Sequence, residues 1–565
     1  MSYILGITQG SASNPSAALV HNGKLIAAAE EERFVRIKNA PKIFPKNAID
    51  FCLKYAGISP ENVTKIAISF DSPRNYLLKE ILFMAKKPHV AVLIPDIIQT
   101  YKELKTPILK KEKEKICFFP HHLAHAASTF YLSGFKKSNI ITIDGRGETD
   151  ATTLAIGENK KIEVIKKYSY LNSLGDLWER FTYILGFTPH RHEGKVMGLA
   201  PYGKKLDSKG IIKFTKNGYS LETPQAYLTA IKFFVESIIK KYNLDQDTIR
   251  FNNLVTKKFG PRRNPNERIL QRHADIAATI QSVYEKVLIK LAVQLYELNG
   301  VENFSLAGGC ALNCSANGRL FEEGFVKDVF IQPAANDAGG SIGAALLAAQ
   351  KEGQTKLYKM SDAYWGPSYD EEVTRKILIE NQLKFEYFKD IAGVCAELIA
   401  KKKIVGWFQG RMEIGPRALG NRSILADPTE RKMKDIINLK VKHREPWRPF
   451  APSLLYEYTG EYLENPYYSP FMLMSFKVKK EKVKEIPAVV HIDGSTRPQV
   501  LRREVNPLYY KMIKEFEKVK GVPCVLNTSF NDKEEPIVCS PQDAINTFKK
   551  TSMDYLIIGN YLIKK

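Results

Sequence analysis

The sequence predicts a mixed α/β protein of two domains, the first made of two related lobes and the second a smaller α/β unit. Three observations predict it. The 565-residue chain is too long for one ordinary hydrophobic core. A strand, loop, strand, turn, strand grammar occurs twice, from Tyr3 and again from Ile140. Around residues 350–370 helical periodicity gives way to KEGQTKLYKMSDAYWGPSYDEE, which divides the chain into 1–355 and 356–565.

In the first copy the run YILGI, the polar loop TQGSASNPS, the run AALV, the turn HNGK and the run LIAAA follow one another, with Asn22-Gly23 as the hairpin signal. IITID, GRGETDA, TTLAI, GENKK and IEVI repeat that order. Paired lobes of this kind are how actin-like and sugar-kinase-like folds look from sequence. Between the copies, Pro45–Gly57 predicts a helix and Val63–Phe70 a buried strand. The lysine-dense stretch Tyr101–Lys115 reads either as a solvated helix or as part of a basic face.

Residues 121–148 carry the sharpest chemistry. His121 and His125 are four apart in HHLAHAAS, so a helix sends both imidazoles from one face. Asp144 ends an apolar strand and opens a glycine loop, where a parallel strand hands a carboxylate to a ligand site. Nitrogen and oxygen donors without thiolate suit iron, manganese or zinc. In SLGDLWERFTYILGFTPHRHEGKVMGLAPYG a helix over 175–185 ends at Gly186, and Glu193 and Lys195 are expected to converge from a loop on one ligand. Past the basic loop KKFGPRR and an amphipathic helix over 274–298, the glycine turn Gly308-Gly309 and a helix beginning near Asn313 offer backbone amides to an anion. Asp337 in IQPAANDAGGSIGAAL is either a fourth metal ligand or the N-cap of the helix that follows.

The second domain interleaves Arg411, Arg417, Arg422, Lys442, Arg444, Arg448 and Arg497 with glycine, proline and asparagine, a pattern suited to a phosphate pocket. The pattern GxxxxGK[ST] is absent, which excludes an ordinary Walker ATPase. A formal charge of +23 leaves two readings, a polyanionic partner such as nucleic acid or a lysine-rich solvated surface. No run is apolar enough for a membrane span, and MSYILGITQG has no secretory pattern. Seven scattered cysteines without CxxC fit reduced thiols in a cytoplasm.

The strings AAAEEERFVRIKN, HHLAHAAS, HEGKVMGLAPYG, GGCALN, RMEIGPRALGNRSILADP, KVKHREPWRPFAPS and LNTSFN together resemble the nodulation-protein and cephalosporin-type O-carbamoyltransferase family over nearly the whole chain. The resemblance implies an actin-like, Kae1-like duplicated two-lobed domain followed by a YrdC-like domain. It implies that carbamoyl phosphate and ATP, with magnesium, form carbamoyladenylate in the second domain, and that an acceptor hydroxyl attacks its carbonyl in the first beside a divalent metal, iron by resemblance. On this reading His121, His125, Asp144 and Asp337 are the metal ligands. Gly308, Gly309, Asn313, Arg417, Lys442, Arg444, Arg448, Arg497, Asn527 and Ser529 bind the nucleotide and carbamoyl phosphate, and Ser13, Asn14, Glu193 and Lys195 stand at the transfer site.

One departure matters. Relatives carry His-Asp in the first hairpin loop, where this chain has Ser13-Asn14, and neither residue is a base near neutral pH. A more acidic or pre-polarised hydroxyl, or a base from elsewhere, is then needed; the resemblance implies as acceptor the hydroxyl of a sugar or natural product, and the charge favours a hydroxymethylpyrimidine in nucleic acid. The reading from another class is a Kae1-related tRNA-modification or scaffold protein, against which the arginine-rich second domain argues.

Overall fold

The computed structural model describes residues 2–9, 13–86, 94–216, 218–222 and 254–565. Gly10, Ser11 and Ala12 of the first hairpin loop lie outside the described residues. The chain forms two compact units, Met1–Ile26 with Ala40–Lys359 and Ala27–Asn39 with Met360–Lys565.

Two five-stranded sheets of matching order organise the first unit. In one, β1 (Tyr3–Thr8), β2 (Ser16–His21), β3 (Lys24–Glu30), β4 (Lys65–Ile68) and β5 (Ile116–Phe118) are ordered β3-β2-β1-β4-β5. In the other, β6 (Lys137–Gly147), β7 (Asp150–Glu158), β8 (Lys161–Ser169), β11 (Asn303–Ala307) and β12 (Asp328–Ile331) are ordered β12-β11-β6-β7-β8, and β9 (Ile212–Thr215) and β10 (Gly218–Leu221) make a separate ribbon. In both, an antiparallel hairpin begins the sheet and two later strands join parallel to its first strand's free side. The repeated hairpin grammar thus appears as repeated topology.

The helices that carry the site are α1 (His121–Ser133), α2 (Leu174–Ile184), α3 (Glu193–Leu199), α4 (Gln271–Asn299), α5 (Cys314–Phe321) and α6 (Ala338–Lys351). Small residues bring α6 close to its neighbours. A Cβ on Gly343 would lie 1.8 Å from the carbonyl oxygen of Ala124 in α1, and one on Gly6 would lie 1.9 Å from that of Ser341. Backbone approach of this kind requires glycine, and it sets the start of α6 beside the start of α1.

The second unit is built on an eight-stranded sheet. Its strands are β13 (Phe385–Tyr387), β14 (Val405–Phe408), β15 (Arg422–Ala426), β16 (Ala451–Leu455), β19 (Gln499–Leu501), β20 (Cys524–Ser529), β21 (Tyr555–Ile558) and β22 (Tyr561–Lys564), in the order β13-β22-β21-β14-β15-β20-β16-β19. β17 (Phe476–Lys477) and β18 (Ser495–Thr496) pair apart from it. Helices α7 (Arg431–Lys440) and α8 (Pro507–Lys520) belong to this unit.

Residues 27–39 depart from the contiguous division that the sequence suggests, because their charged side chains are completed by the second unit. Arg33, 1% exposed, pairs with Glu30 at 2.7 Å and donates to the carbonyl of Gly415 at 2.7 Å. Arg36 donates to the carbonyls of Ile537 and Pro536 at 2.6 and 2.8 Å. Removing one member of a buried, hydrogen-bonded ion pair costs about 3–5 kcal/mol. Among the described residues no helix is long and apolar enough to cross a membrane.

Candidate functional site

Four donors converge in the first unit. The i, i+4 spacing on α1 turns His121 and His125 to the same side, and their Nε2 atoms stand 3.0 Å apart. Asp144, from β6, places Oδ2 2.9 Å from His125 Nε2 and 3.5 Å from His121 Nε2. Asp337, one residue before α6, places Oδ1 3.5 and 3.7 Å from the same two nitrogens. The histidines are 1% and 0% exposed. Asp337 makes no N-cap hydrogen bond, so of its two sequence readings the geometry favours the ligand.

Two imidazole nitrogens facing each other at 3.0 Å need a proton or a cation between them. Burial works against charge on His125, but hydrogen bonds to Asp144 and Asp337 outweigh it and raise the ring to about 9. Burial likewise opposes ionisation of Asp144, and the hydrogen bonds from both histidines nevertheless hold it well below the ordinary carboxylate range. Ligand atoms about 2.0–2.2 Å from one ion stand roughly 3–3.5 Å from one another. One donor from each of the four residues lies within 4.8 Å of all the others, so the set fits a divalent cation.

The first hairpin loop serves this cluster. The Ser13 N–H donates to Asp337 Oδ2 at 2.7 Å, and Asn14 Oδ1 accepts from Asn336 at 3.0 Å. The Thr8 hydroxyl donates to the Asp337 carbonyl. Ser13 and Asn14 thus contact the segment that presents the fourth donor.

Acidic groups surround the turn after Asp144. A Cβ on Gly145 would lie 3.5 Å from Asp176 Oδ1 and 3.7 Å from Glu179 Oε1. Glu179 pairs with His190 Nδ1 at 2.9 Å and raises that ring to about 9. Burial and the charge of Glu179 push Asp176 up to about 8 and Glu193 up to about 7. Glu193 and Lys195 begin a helix rather than sitting in a loop, and residues two apart on a helix diverge. Glu193 accepts from the His190 N–H at 2.6 Å, whereas Lys195 is buried with its ammonium 5.4 Å over the Phe187 ring. The two side chains thus have different neighbours, the His190 amide for one and the Phe187 ring for the other.

Gly308 has φ +87, and a Cβ there would lie 2.2 Å from the Ile143 carbonyl oxygen; one on Gly309 would lie 3.2 Å from Asp144 Oδ1. This glycine turn lies against Ile143 and Asp144 of β6. Asn313 accepts from the Ala316 N–H as the cap of α5 and exchanges hydrogen bonds with Gln281, so its amide is used internally.

In the second unit, Lys442 follows α7 and is 4% exposed; its ammonium donates to the Ser529 carbonyl at 2.8 Å and the Asn531 carbonyl at 2.7 Å, and reaches the Ser529 hydroxyl at 3.3 Å. Burial, then the charges of Arg444 and Arg448, push it well below the ordinary lysine range. Arg444 and Arg448 are themselves lowered by burial, and Arg497 adds to that in both. Arg417 is half-buried, and Asn527 donates to the Ala418 carbonyl while its Oδ1 has no partner among the described residues. Lys38, on the segment that joins this unit, also bears on Lys442 electrostatically. Sequence reasoning missed it because its neighbours in the chain point to the other unit.

Two of the arginines read as phosphate contacts are structural. Arg422, fully buried, donates to the carbonyls of Gln409, Gly410 and Pro367 and stacks 3.6 Å over Phe408, and Arg411 donates to the carbonyls of Trp365 and Gly366. In KKFGPRR, Arg263 is 4% exposed and donates to the carbonyls of Leu185, Pro265 and Glu267, which removes it from any polyanion face. Lys111 and Lys115 of the lysine-dense stretch pair with Glu61 and Glu112.

Comparison with known proteins agrees with this two-part layout. Residues 3–346 match the carbamoyltransferase N-terminus and residues 396–565 the carbamoyltransferase C-terminus. The nodulation protein NolNO of Sinorhizobium fredii is 36% identical, over 97% of this chain and 78% of that one. The Methanocaldococcus jannaschii protein MJ1051 is 34% identical over 100% of this chain and 99% of its own length. With both terminal regions matched and full-length relatives at this identity, the chain belongs to the carbamoyltransferase family.

Proposed function

We propose that this protein activates carbamoyl phosphate with ATP in its second unit and transfers the carbamoyl group to the hydroxyl of a small sugar-like acceptor in its first. The observation that carries the reading is the presence in one chain of two chemically opposite sites. One is a largely buried set of four nitrogen and oxygen donors, the other the buried Lys442 with half-buried Arg444 and Arg448 bearing on it and Arg497 bearing on them. The repeated sheet order supports an actin-like, Kae1-like first unit, and the second is read as YrdC-like by resemblance alone. The intact cation cluster also weighs against a scaffold protein without catalysis.

Carbamate is a poor electrophile because its nitrogen donates into the carbonyl. Water releases it from carbamoyl phosphate with loss of inorganic phosphate, a carbamate oxygen bonds to the α-phosphorus of ATP as pyrophosphate leaves, and the adenylate then carries AMP as a good leaving group; the cations of the second unit suit the phosphate oxygens during these steps. His121, His125, Asp144 and Asp337 would hold a divalent ion, iron by resemblance, which when bound supplies an electrophile for the carbamoyl oxygen. The acceptor oxygen then bonds to the carbonyl carbon, AMP leaves, and the hydroxyl proton passes to a base. Ser13 and Asn14 cannot take it. Glu193, raised to about 7, has the affinity for a proton that general-base catalysis near neutrality needs.

A small acceptor is preferred to nucleic acid because part of the apparent basic face is committed elsewhere, with Arg263 buried on carbonyls and Lys111 paired. The test offers carbamoyl phosphate, ATP and magnesium with oligosaccharides, aminoglycosides and hydroxymethylated DNA, and follows carbamoylated product by mass. Sugars should be modified, with pyrophosphate released. Modification of the DNA alone would overturn the acceptor, and product without ATP would overturn the activation step.

A further inference from the structure

Metal-binding histidines ordinarily donate their second ring nitrogen to a carbonyl or carboxylate, which fixes the ring. Here His121 Nδ1 and His125 Nδ1 are both buried and have no hydrogen-bond partner among the described residues. Helix α1 also lacks a side-chain cap, because its N-cap residue is Pro120. Something else must orient the start of this helix and the first imidazole.

That role falls to one corner of the β6–β7 hairpin. Glu148, 3% exposed and left-handed at φ 47, turns its carboxylate onto the first amide of α1. The His121 N–H donates to Oε1 at 3.1 Å, with Oε2 at 3.3 Å, and the Asp71 N–H donates to the same Oε1 at 2.9 Å. Asp71 is paired in turn with Lys79. A carboxylate is favoured at a helix N-terminus by the unpaired amides and the helix dipole. Gly147 lies against the imidazole, where a Cβ would come 2.3 Å from His121 Cδ2, and the Phe70 ring closes another side with its centroid 4.9 Å away.

We propose that the Gly147–Glu148 corner is the positioning element of the donor cluster, holding His121 by a hydrogen bond to its backbone and by contact with its ring instead of through Nδ1. This rests on reading His121, His125, Asp144 and Asp337 as a metal site. The substitutions act from outside the four donors, so they separate positioning from ligation.

The test is Co2+ titration of the full-length chain, read by affinity and by the visible spectrum of the bound ion, with H121A as the zero reference. Glu148→Ala should weaken Co2+ binding by about 10–100-fold and change the spectrum. Glu148→Gln keeps an acceptor for both amides and should stay within about fivefold of wild type. Gly147→Ala, independent of any effect of Glu148 on folding, should displace the ring and lose affinity as Glu148→Ala does. Wild-type affinity and spectrum in Glu148→Ala or Gly147→Ala would overturn the proposal, as would equal losses in Glu148→Gln and Glu148→Ala. If wild type takes up no more Co2+ than H121A, the metal reading itself fails and this inference falls with it.

Discussion

The two candidate sites solve opposite electrostatic problems. In the first unit unlike charges meet: Asp144 and Asp337 raise His125 while the histidines lower Asp144, so each partner favours the charged form of the other. In the second unit like charges meet: Lys442, Arg444 and Arg448 are each pushed down by burial and by neighbouring cations, with Glu445 and Asp532 opposing only in part. The donor cluster is therefore compensated from within, carboxylates against imidazoles. Ligand binding and protonation should be linked in both units with opposite sign, because a cation at the donor cluster must displace a proton and an anion at the cation cluster should favour one.

The largest expected effect separates the two sites. His121→Ala or Asp144→Asn should lower carbamoyl transfer by roughly 10²–10³-fold or more, the equivalent of several kcal/mol of lost charge stabilisation, yet leave pyrophosphate exchange driven by carbamoyl phosphate intact. Lys442→Ala or Arg497→Ala should lose the exchange and still use carbamoyladenylate supplied from outside. Equal loss of both activities in folded variants of either site would break the comparison.

A second, smaller effect sharpens it. Sulfate does not titrate near neutrality, so the pH dependence of its binding reports the protein. Because burial and the neighbouring arginines depress Lys442, a bound dianion should raise its affinity for a proton. Calorimetry in buffers of different ionisation heat should detect proton uptake, and affinity should fall as pH rises from neutrality toward the ordinary lysine range near about 10.4. Lys442→Met should abolish that dependence. Binding indifferent to pH in wild type would remove Lys442 from the anion pocket.

The smallest effect belongs to Glu193, beside His190 and under the charge of Glu179. The carboxyl of Glu193 is raised from 4.5 to about 7, so the folded protein holds its proton more tightly than the unfolded chain. That contribution to stability is complete below about 4.5 and is lost as pH rises through about 7. Glu193→Gln imitates the protonated form, and its melting temperature relative to wild type should climb across this window. A constant difference would mean that Glu193 titrates in the ordinary range.

Much of this was legible in the chain itself. Helical spacing of His121 and His125 and the repeated hairpin grammar each depend on local periodicity, and each has its counterpart in the fold, whereas the strand expected to end at Asp144 runs on to Gly147 through a register shift after Ile143. Local pattern also explains the hairpin at Asn22-Gly23, where both residues take positive φ. What pattern could not decide was the use of each charged side chain, because the same arginine can face a phosphate or a carbonyl.

Arg411, Arg422 and Arg263 looked like binding residues in the sequence and are structural, since long-range folding supplied their donors with backbone oxygens. Glu148 and Lys38 looked unremarkable, and tertiary structure brought one to a helix amide 27 residues away and the other into the unit of Lys442. Asp337 was left between cap and ligand by spacing alone; glycine-permitted contact of α6 with α1 sets its carboxylate beside His121, and it makes no cap hydrogen bond. The sequence by itself determined the elements, their repetition and the donor types, because those follow from short-range stereochemistry. Only the tertiary structure decided which charges meet which partners, because desolvation and electrostatic pairing depend on neighbours far apart in the chain.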